Sequence, residues 1–273
     1  MQKSSIVYKP CVDLYPGRII IAPEEHMKVL AHRGFSGKYP ENTMLAFRKA
    51  IEAGADGIEL DIHESSDGQL VIIHDEKLIR TTGRDGVVSD YSLKELTSTR
   101  ASRTFDDAFD STIPSFEEFC DFASKGSFIT NVEIKTNNTW YQDIERKAVD
   151  MIRAFGLENR IIFSSFNWIS VLRAKQMAPE IECGFLYAGN KHLHLAPQTK
   201  DAGIEYMHPD FTLLDDDIVA ECKENGIGLN VWTINEEDQM RQLIKWGVNA
   251  AISNYPDMCL RLLGAKSNCA NCS

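Results

Sequence analysis

Two short motifs in this chain each contain a histidine beside a charged residue, and each follows an apolar run. They are His32-Arg33-Gly34 and His74-Asp75. Histidine exchanges protons near neutral pH, so two histidines at neighbouring strand ends predict a general acid and a general base. A single histidine in such a place is more often structural. The pair, with charged neighbours, favours catalysis.

Three carboxylates lie within two other apolar runs. Glu59 and Asp61 are separated by one residue, so their side chains point to the same face of a strand, and Glu133 lies in a later strand. Carboxylates held together repel one another unless a cation or a proton neutralises them. Carboxylate oxygens are also the ligands of Mg²⁺ and Ca²⁺. The pattern predicts a divalent-cation site; the alternative is a structural salt network with Arg33 and Lys135.

Two cations and one aromatic residue complete the candidate site. The guanidinium of Arg33 matches two phosphate oxygens and Lys135 adds a point charge, although both residues also balance the acids. Trp232 closes a late strand, where its ring forms the floor of a substrate pocket or only covers the core. His63 continues the strand of Asp61, and we expect it to face solvent.

Strand patterns alternate with helical patterns along most of the chain, which indicates parallel βαβ units and a TIM (β/α)8 barrel. Nine strand patterns are one too many for eight strands. Asp67-Gly68 is a hairpin signal, so we expect Leu70–His74 to pair antiparallel with the second strand, with His74 roughly opposite Asp61. The nine patterns are Val29–Ala31, Gly57–Ile62, Leu70–His74, Phe128–Ile134, Ile161–Phe166, Cys183–Ala188, Glu205–His208, Gly228–Thr233 and Ala250–Ser253.

The length of 273 residues suits one barrel domain. We expect this domain at 28–264, after an N-terminal extension, 1–27, that packs on the barrel, and before a flexible tail, 265–273. Residues 76–112 interrupt the alternation of strands and helices. Loops longer than about 15 residues are usually lids or inserted elements, so this segment is expected to govern substrate choice.

Charge and composition restrict the partners. A net charge of −11 disfavours nucleic acid and anionic lipid surfaces, which bind basic patches. No apolar run approaches the roughly 18 residues of a membrane span, and the start lacks the apolar core of a signal peptide. Seven scattered cysteines do not form the pattern of a small disulfide scaffold. We therefore expect a cytoplasmic protein that acts on a small molecule.

Taken in order, these motifs resemble the glycerophosphodiester phosphodiesterase family. The matching elements are Ala31-His-Arg-Gly34, Pro40-Glu-Asn-Thr43, Glu59-Leu-Asp61, Asp67-Gly68, His74-Asp75, Ile113-Pro114, Glu133-Ile-Lys135, Ser165-Phe166, Trp232-Thr-Ile-Asn235 and Tyr255-Pro-Asp257. The resemblance implies a TIM barrel of the phospholipase C-like phosphodiesterase type, with a small insertion after the second histidine. It also implies a divalent cation, Mg²⁺ or Ca²⁺, and hydrolysis of glycerophosphodiesters to sn-glycerol 3-phosphate and an alcohol.

The same resemblance assigns a role to each candidate residue. The roles are acid–base catalysis for His32 and His74, metal binding for Glu59, Asp61 and Glu133, and phosphate binding for Arg33 and Lys135. In one place the chain departs from the family: Ser253-Asn254 stands where members commonly have Thr-Asp. The missing carboxylate leaves the proposed catalytic set intact but changes the pocket.

Two other functions use the same residues. A lysophospholipase D-like enzyme would need an apolar entrance, for which Phe105, Phe109 and Trp140 are candidates. A non-catalytic barrel that binds phosphate esters would not need paired histidines, so the intact pair argues against it.

Overall fold

Parallel strands close into a barrel in the computed structural model, which describes residues 27–106, 108–189 and 194–270. The strands are β1 Lys28–His32, β2 Gly57–Glu64, β3 Leu70–Ile72, β4 Ile129–Ile134, β5 Ile161–Ser165, β6 Glu182–Tyr187, β7 Tyr206–Pro209, β8 Gly228–Val231 and β9 Ala250–Ser253. The helices are α1 Met44–Glu52, α2 Ile79–Thr82, α3 Leu93–Thr97, α4 Phe116–Ser124, α5 Ile144–Ala154, α6 Trp168–Met177, α7 Leu195–Asp201, α8 Asp216–Asn225, α9 Glu237–Trp246 and α10 Pro256–Ala270.

The sheet has the order β1-β9-β8-β7-β6-β5-β4-β2-β3, and β1 also pairs with β2. Eight parallel strands therefore close the barrel, and β3 lies antiparallel on β2, which confirms the predicted hairpin. Ile62 faces Ile72, and the backbone N–H of Ile73 donates to the carbonyl of Asp61. Ile73 therefore lies opposite Asp61, and the predicted position of His74 differs from this register by one residue.

Polar residues at the helix starts explain where several helices begin. The hydroxyl of Thr43 accepts a hydrogen bond from the N–H of Ala46 at 3.2 Å, and that of Ser115 accepts from Glu118 at 3.0 Å. Each bond satisfies a backbone donor that the first helical turn leaves free. These caps align α1 and α4 so that buried aromatics such as Phe47 and Phe119 pack between helix and sheet.

Four buried polar residues on β4, β5, β7 and β8 form two hydrogen-bonded pairs. Asn131 Nδ2 donates to Ser164 Oγ at 3.0 Å, and Asn230 Nδ2 donates to His208 Nε2 at 3.0 Å. All four residues are at most 2% exposed. A Cβ atom on Gly184 would lie 2.2 Å from His208 Nε2, so only glycine leaves room for this imidazole. We call Asn131, Ser164, His208 and Asn230 the polar layer.

Residues 76–112 form a small folded insertion between β3 and α4. It contains α2, α3 and two short 3₁₀ segments, Val88–Asp90 and Arg103–Phe105. Its buried Leu78, Val88 and Leu96 pack against Val71 and Ile73 of the hairpin. The insertion is therefore anchored by an apolar core of its own.

The C-terminal end of the barrel domain differs from the predicted boundary. The final helix continues to Ala270, past the expected boundary at 264. The expected extension, 1–27, falls outside the described residues except for Met27, as do 271–273 of the expected tail. In the described part of the chain, none of the helices has both the length and the apolarity to cross a bilayer.

Candidate active site

The chain turns sharply after β1, and this turn places His32. Arg33 and Gly34 both have positive φ, at 54° and 77°, and a Cβ on Gly34 would lie 2.7 Å from the backbone of Ala46. Glycine is the residue that adopts such a conformation without strain. His32 therefore stands at the mouth of the barrel, where β1 ends and α1 approaches.

Asn254 holds the ring of His32 through a short hydrogen bond. His32 Nδ1 lies 2.6 Å from Asn254 Oδ1, which also accepts from Ser36 Oγ at 2.9 Å. The amide oxygen is an acceptor, so Nδ1 carries the hydrogen and Nε2 is left without one. Nε2 lies 3.9 Å from Glu59 Oε2. Burial, followed by the charge of Arg33, lowers the pKa of His32 to about 3, which favours the neutral ring.

Glu59, Asp61 and Glu133 lie together on the neighbouring strands β2 and β4. Each offers a carboxylate oxygen, all within 4.8 Å of one another, and all three residues are buried. Asp61 and Glu133 face each other in the β2–β4 register. Glu59 accepts from the backbone N–H of Arg33 at 2.9 Å, and Asp61 Oδ2 accepts from Asn42 Nδ2 at 2.8 Å. We call these three residues the carboxylate cluster.

The carboxylate cluster has more negative charge than its neighbours neutralise. Burial, followed by repulsion from Asp61 and Glu133, raises the pKa of Glu59 well above its ordinary value. Burial raises the pKa of Glu133 to about 7 although Lys135 opposes the shift. Burial also acts to raise the pKa of Asp61, but Lys135, His74 and Arg33 lower it overall. Two of the three acids thus favour protonation when no further cation is present.

These donors fit a divalent cation. Lys135 Nζ donates to Glu133 Oε1 at 2.7 Å and stays 3.4 Å from Asp61 Oδ1. That Asp61 oxygen is buried and has no hydrogen-bond partner. Buried polar atoms are normally satisfied, so an unsatisfied oxygen inside a cluster of hard oxygen donors indicates a place for an ion. Mg²⁺ and Ca²⁺ both prefer such ligands.

His74 follows β3, and two contacts hold it. Its Nδ1 lies 2.6 Å from Asp75 Oδ1, and its backbone carbonyl accepts from His63 Nε2 at 3.0 Å. His63 Nδ1 in turn lies 2.8 Å from the hydroxyl of Tyr141. The side chain of His74 is 29% exposed, so the ring is open to the mouth of the barrel.

The expectation that His63 faces solvent is wrong. The residue is 1% exposed, because β3 and the residues after it fold back over the end of β2. Burial lowers the pKa of His63 to about 4, so the neutral ring donates through Nε2 and accepts through Nδ1. His63 therefore supports the backbone of His74.

Arg33 and Trp232 also lie at the strand ends. Arg33 Nε is 3.5 Å from Asp61 Oδ2, and Arg33 Nη1 donates to Glu41 at 2.9 Å. Trp232 Nε1 donates to the carbonyl of His208 at 2.8 Å, and its ring meets Phe166 edge-on at 5.6 Å between centroids. A role of Trp232 in substrate binding stays a prediction.

The contacts above connect most of the predicted residues. The connected set is His32, Arg33, Glu59, Asp61, Glu133 and Lys135. Three supporting residues had no predicted role: Glu41 and Asn42 of the Pro40-Glu-Asn-Thr43 motif, and Arg80 of the insertion. The positive φ of Asn42, 53°, marks the tight turn that brings its amide to Asp61. The Pro40-Glu-Asn-Thr43 motif could have revealed Glu41 and Asn42, because a short polar run between two secondary-structure elements often contributes to a binding site.

A (β/α)8 barrel with acids, cations and histidines around its mouth can hold a phosphate ester and move protons, which is the chemistry of a phosphate-ester hydrolase. The model of the glycerophosphoryl diester phosphodiesterase family matches residues 32–258. The chain belongs to this family of enzymes.

Relatives and solved structures agree with this assignment. A glycerophosphodiester phosphodiesterase from Caldanaerobacter subterraneus subsp. tengcongensis is 37% identical, over 86% of this chain and 97% of its own length. One from Bacillus altitudinis is 35% identical, over 86% and 97%. The structure of a phosphodiesterase from Oleispira antarctica, in complex with the product sn-glycerol-3-phosphate, superposes with a TM-score of 0.79 at 28% identity. It covers 87% of this chain and 96% of that one.

Proposed function

We propose that this protein hydrolyses glycerophosphodiesters to sn-glycerol 3-phosphate and an alcohol, with Mg²⁺ or Ca²⁺ held by Glu59, Asp61 and Glu133. The observation that supports this most is the carboxylate cluster, whose acids outnumber their cationic neighbours and include an unsatisfied oxygen. Family membership supplies the substrate class.

Binding of the phosphate is the task of the cationic side chains. Arg33 and Lys135 lie within 3.5 Å of the oxygens of Asp61, so they border the same space as the carboxylate cluster. Both would contact phosphoryl oxygens, where the guanidinium supplies two donors and the ammonium supplies a point charge. A bound cation would neutralise further charge on these oxygens. Preorganised charge of this kind is usually the largest contribution to the rate.

Proton transfer is the task of the two histidines. His32 has Nδ1–H committed to Asn254, so its Nε2 is free to accept a proton from the nucleophile. His74 has Nδ1 directed at Asp75, so its Nε2 is the atom that would donate a proton to the leaving alkoxide. The nucleophile is either the neighbouring hydroxyl of the glycerol, which gives a cyclic phosphate that water then opens, or water directly. Both routes use the same residues.

Turnover of glycerophosphocholine tests this proposal. We expect activity with Mg²⁺ or Ca²⁺, its loss after dialysis against a chelator, and its recovery when the cation returns. His32→Ala and His74→Ala should each lower kcat by about 10²–10⁴-fold in a protein that remains folded, as measured by steady-state kinetics and circular dichroism. Full activity after chelation would refute the cation, and a near-normal kcat in either variant would refute the role of that histidine.

An exposed aromatic residue favours a second substrate class. Trp140, in the loop after β4, is 55% exposed, which suits contact with an acyl chain. Phe105 instead packs on Phe109 at 5.6 Å between ring centroids, and Phe109 packs on Tyr39 at 5.7 Å. A side-by-side assay on glycerophosphocholine and a lysophosphatidylcholine decides between a diesterase and a lysophospholipase D. Tight ligand binding without turnover would instead support the non-catalytic barrel.

A further inference from the structure

One arginine of the insertion contacts carboxylates on two different loops of the site. Arg80 lies in α2, and its Nη1 and Nη2 donate to the two oxygens of Glu41 at 2.6 and 2.8 Å. Its Nε donates to Asp75 Oδ2 at 2.5 Å. The planar guanidinium presents donors in a fixed fork, so one side chain can hold two carboxylates in a set geometry.

Each of these carboxylates also holds a residue of the proposed catalytic machinery. Glu41 Oε1 accepts from Arg33 Nη1 at 2.9 Å, and Asp75 Oδ1 lies 2.6 Å from His74 Nδ1. A continuous series of charged contacts therefore runs from Arg33 through Glu41, Arg80 and Asp75 to His74. It joins the loop after β1 to the residues after β3; in the described sheet each of these strands pairs with β2 and not with the other.

We propose that Arg80 is a positioning residue: by holding Glu41 and Asp75 together it fixes Arg33 and His74 relative to one another. We call Arg80, Glu41 and Asp75 the Arg80 bridge. The inference rests on the roles proposed above for Arg33 and His74. It also extends the role of residues 76–112, which were expected to act on substrate choice alone, because the first helix of the insertion then supports the chemistry.

The exposure of these groups indicates what the bridge contributes. The side chains of Arg80 and Asp75 are 39% and 30% exposed, and that of Glu41 is 15% exposed. Ion pairs in such surroundings add little to the stability of the fold. A misplacement of a reacting group by about 1 Å, in contrast, can lower a rate by about 100-fold. Loss of the bridge should therefore change kinetics far more than the melting temperature.

Arg80→Gln is the first test, with glycerophosphocholine as substrate and Mg²⁺ present. We expect kcat to fall, because Asp75 no longer holds His74 in place, and KM to rise, because Glu41 no longer holds Arg33. The combined loss in kcat/KM should be about 10-fold or more. Arg80→Lys should recover only part of this loss, since one ammonium cannot replace the fork.

Arg84→Gln is the matched control. Arg84 belongs to the same insertion, but its guanidinium lies over the ring of Tyr91 at 3.7 Å and donates to Thr99. Removal of its charge should leave kcat and KM unchanged. If Arg80→Gln and Arg84→Gln lower activity and melting temperature in parallel, the insertion acts only through stability and the proposal is overturned.

A second measurement needs no turnover. In NMR spectra of protein labelled with ¹⁵N-histidine, a proton between His74 Nδ1 and Asp75 gives a downfield proton resonance. We expect this resonance in the wild-type protein and in Arg84→Gln. In Arg80→Gln we expect it to weaken. A wild-type protein inactive on all diesters would refute the proposed function, while this resonance would still test the bridge. A folded Arg80→Gln protein with wild-type kcat, KM and His74 resonance overturns the inference.

Discussion

The carboxylate cluster and the polar layer are both buried and both polar, and both have a member on β4, yet they are built in opposite ways. Asn131 of the polar layer is two residues before Glu133 on β4. The polar layer consists of neutral groups joined in pairs, Asn131 with Ser164 and Asn230 with His208. The carboxylate cluster consists of acids, and burial followed by their mutual repulsion raises the pKa of Glu59.

The difference separates a structural polar region from a binding region. Neutral polar groups carry no charge that needs a counter-ion, so their burial costs less than that of a charge, even though Asn131 Oδ1 and His208 Nδ1 have no hydrogen-bond partner. Acids that repel one another are unfavourable in the absence of a ligand, and a protein tolerates such strain where it serves a function. The polar layer is therefore neutral, whereas the charge of the carboxylate cluster favours a bound cation.

Glu133→Gln should give the largest effect in this comparison. The change keeps an acceptor for Lys135 but removes one charge from the cation ligands. We expect kcat with Mg²⁺ to fall by roughly 10²-fold or more, since loss of a mere supporting partner of a metal ligand already costs about 10–100-fold. The wild-type melting temperature should rise with Mg²⁺, because a ligand bound to the native state stabilises it, and that rise should disappear in the variant.

The sign of the pH effect sharpens this test. The folded pKa of Glu133, about 7, lies above its ordinary value of 4.5. Without a metal ion, the folded state therefore binds more protons than the unfolded state between these values. The contribution of Glu133 to stability is present below about pH 4.5 and is lost as the pH rises through 7. Glu133→Gln should therefore be no less stable than wild type in chelator at pH 8. Asn131→Ala, in the polar layer, should melt earlier but keep its response to Mg²⁺. If Mg²⁺ changes the melting temperature of the wild-type protein, Glu133→Gln and Asn131→Ala equally, the carboxylate cluster binds no cation.

His208 should have an intermediate effect, on acid stability alone. Burial lowers its folded pKa to about 3, against 6.5 for the unfolded chain. Between these values the unfolded state binds more protons, so stability is lost as pH falls from 6.5 towards 3, by about 1.4 kcal/mol per pH unit. His208→Gln should lessen the slope of unfolding free energy against pH by about that amount, as measured by urea unfolding at several pH values.

Exposed His194 provides the control for His208. Its side chain is 81% exposed, with Nδ1 3.8 Å from Glu221 Oε2, so His194→Gln makes the same substitution without changing the barrel interior. If both variants keep the wild-type slope, the interior of the barrel is more hydrated than its burial implies. The contrast between a neutral polar layer and a charged carboxylate cluster would then need revision.

Shortening the tip of the insertion should have the smallest effect. Residues 102–110 include neither Arg80 nor the insertion residues whose side chains pack on Val71 and Ile73, so a short Gly-Ser replacement removes none of them. We expect KM and the ranking of alcohol head groups to change, with the cation and histidine requirements retained. Assays on glycerophosphocholine, glycerophosphoethanolamine and glycerophosphoglycerol measure this. Identical preferences before and after would place specificity at strand ends such as Trp232.

Much of the fold could be predicted from patterns among residues that are close together in the sequence. The alternation of strand and helix predicted the eight-stranded barrel, and Asp67-Gly68 predicted the β2–β3 hairpin. The spacing of Glu59 and Asp61 placed both on one face of β2, because side-chain direction in a strand repeats every second residue. These inferences succeeded because local geometry depends only on near neighbours in the sequence.

Only the tertiary structure decided which distant groups meet. Asn254 reaches His32 across 222 residues of sequence, because β9 pairs with β1 when the barrel closes. His63 is buried because the hairpin folds over it, although its position in the sequence indicated a strand end in solvent. Arg80 joins two loops through contacts that no spacing predicts. Residue types and strand periodicity are local properties of a sequence, whereas burial and charge pairing arise only when distant segments come together.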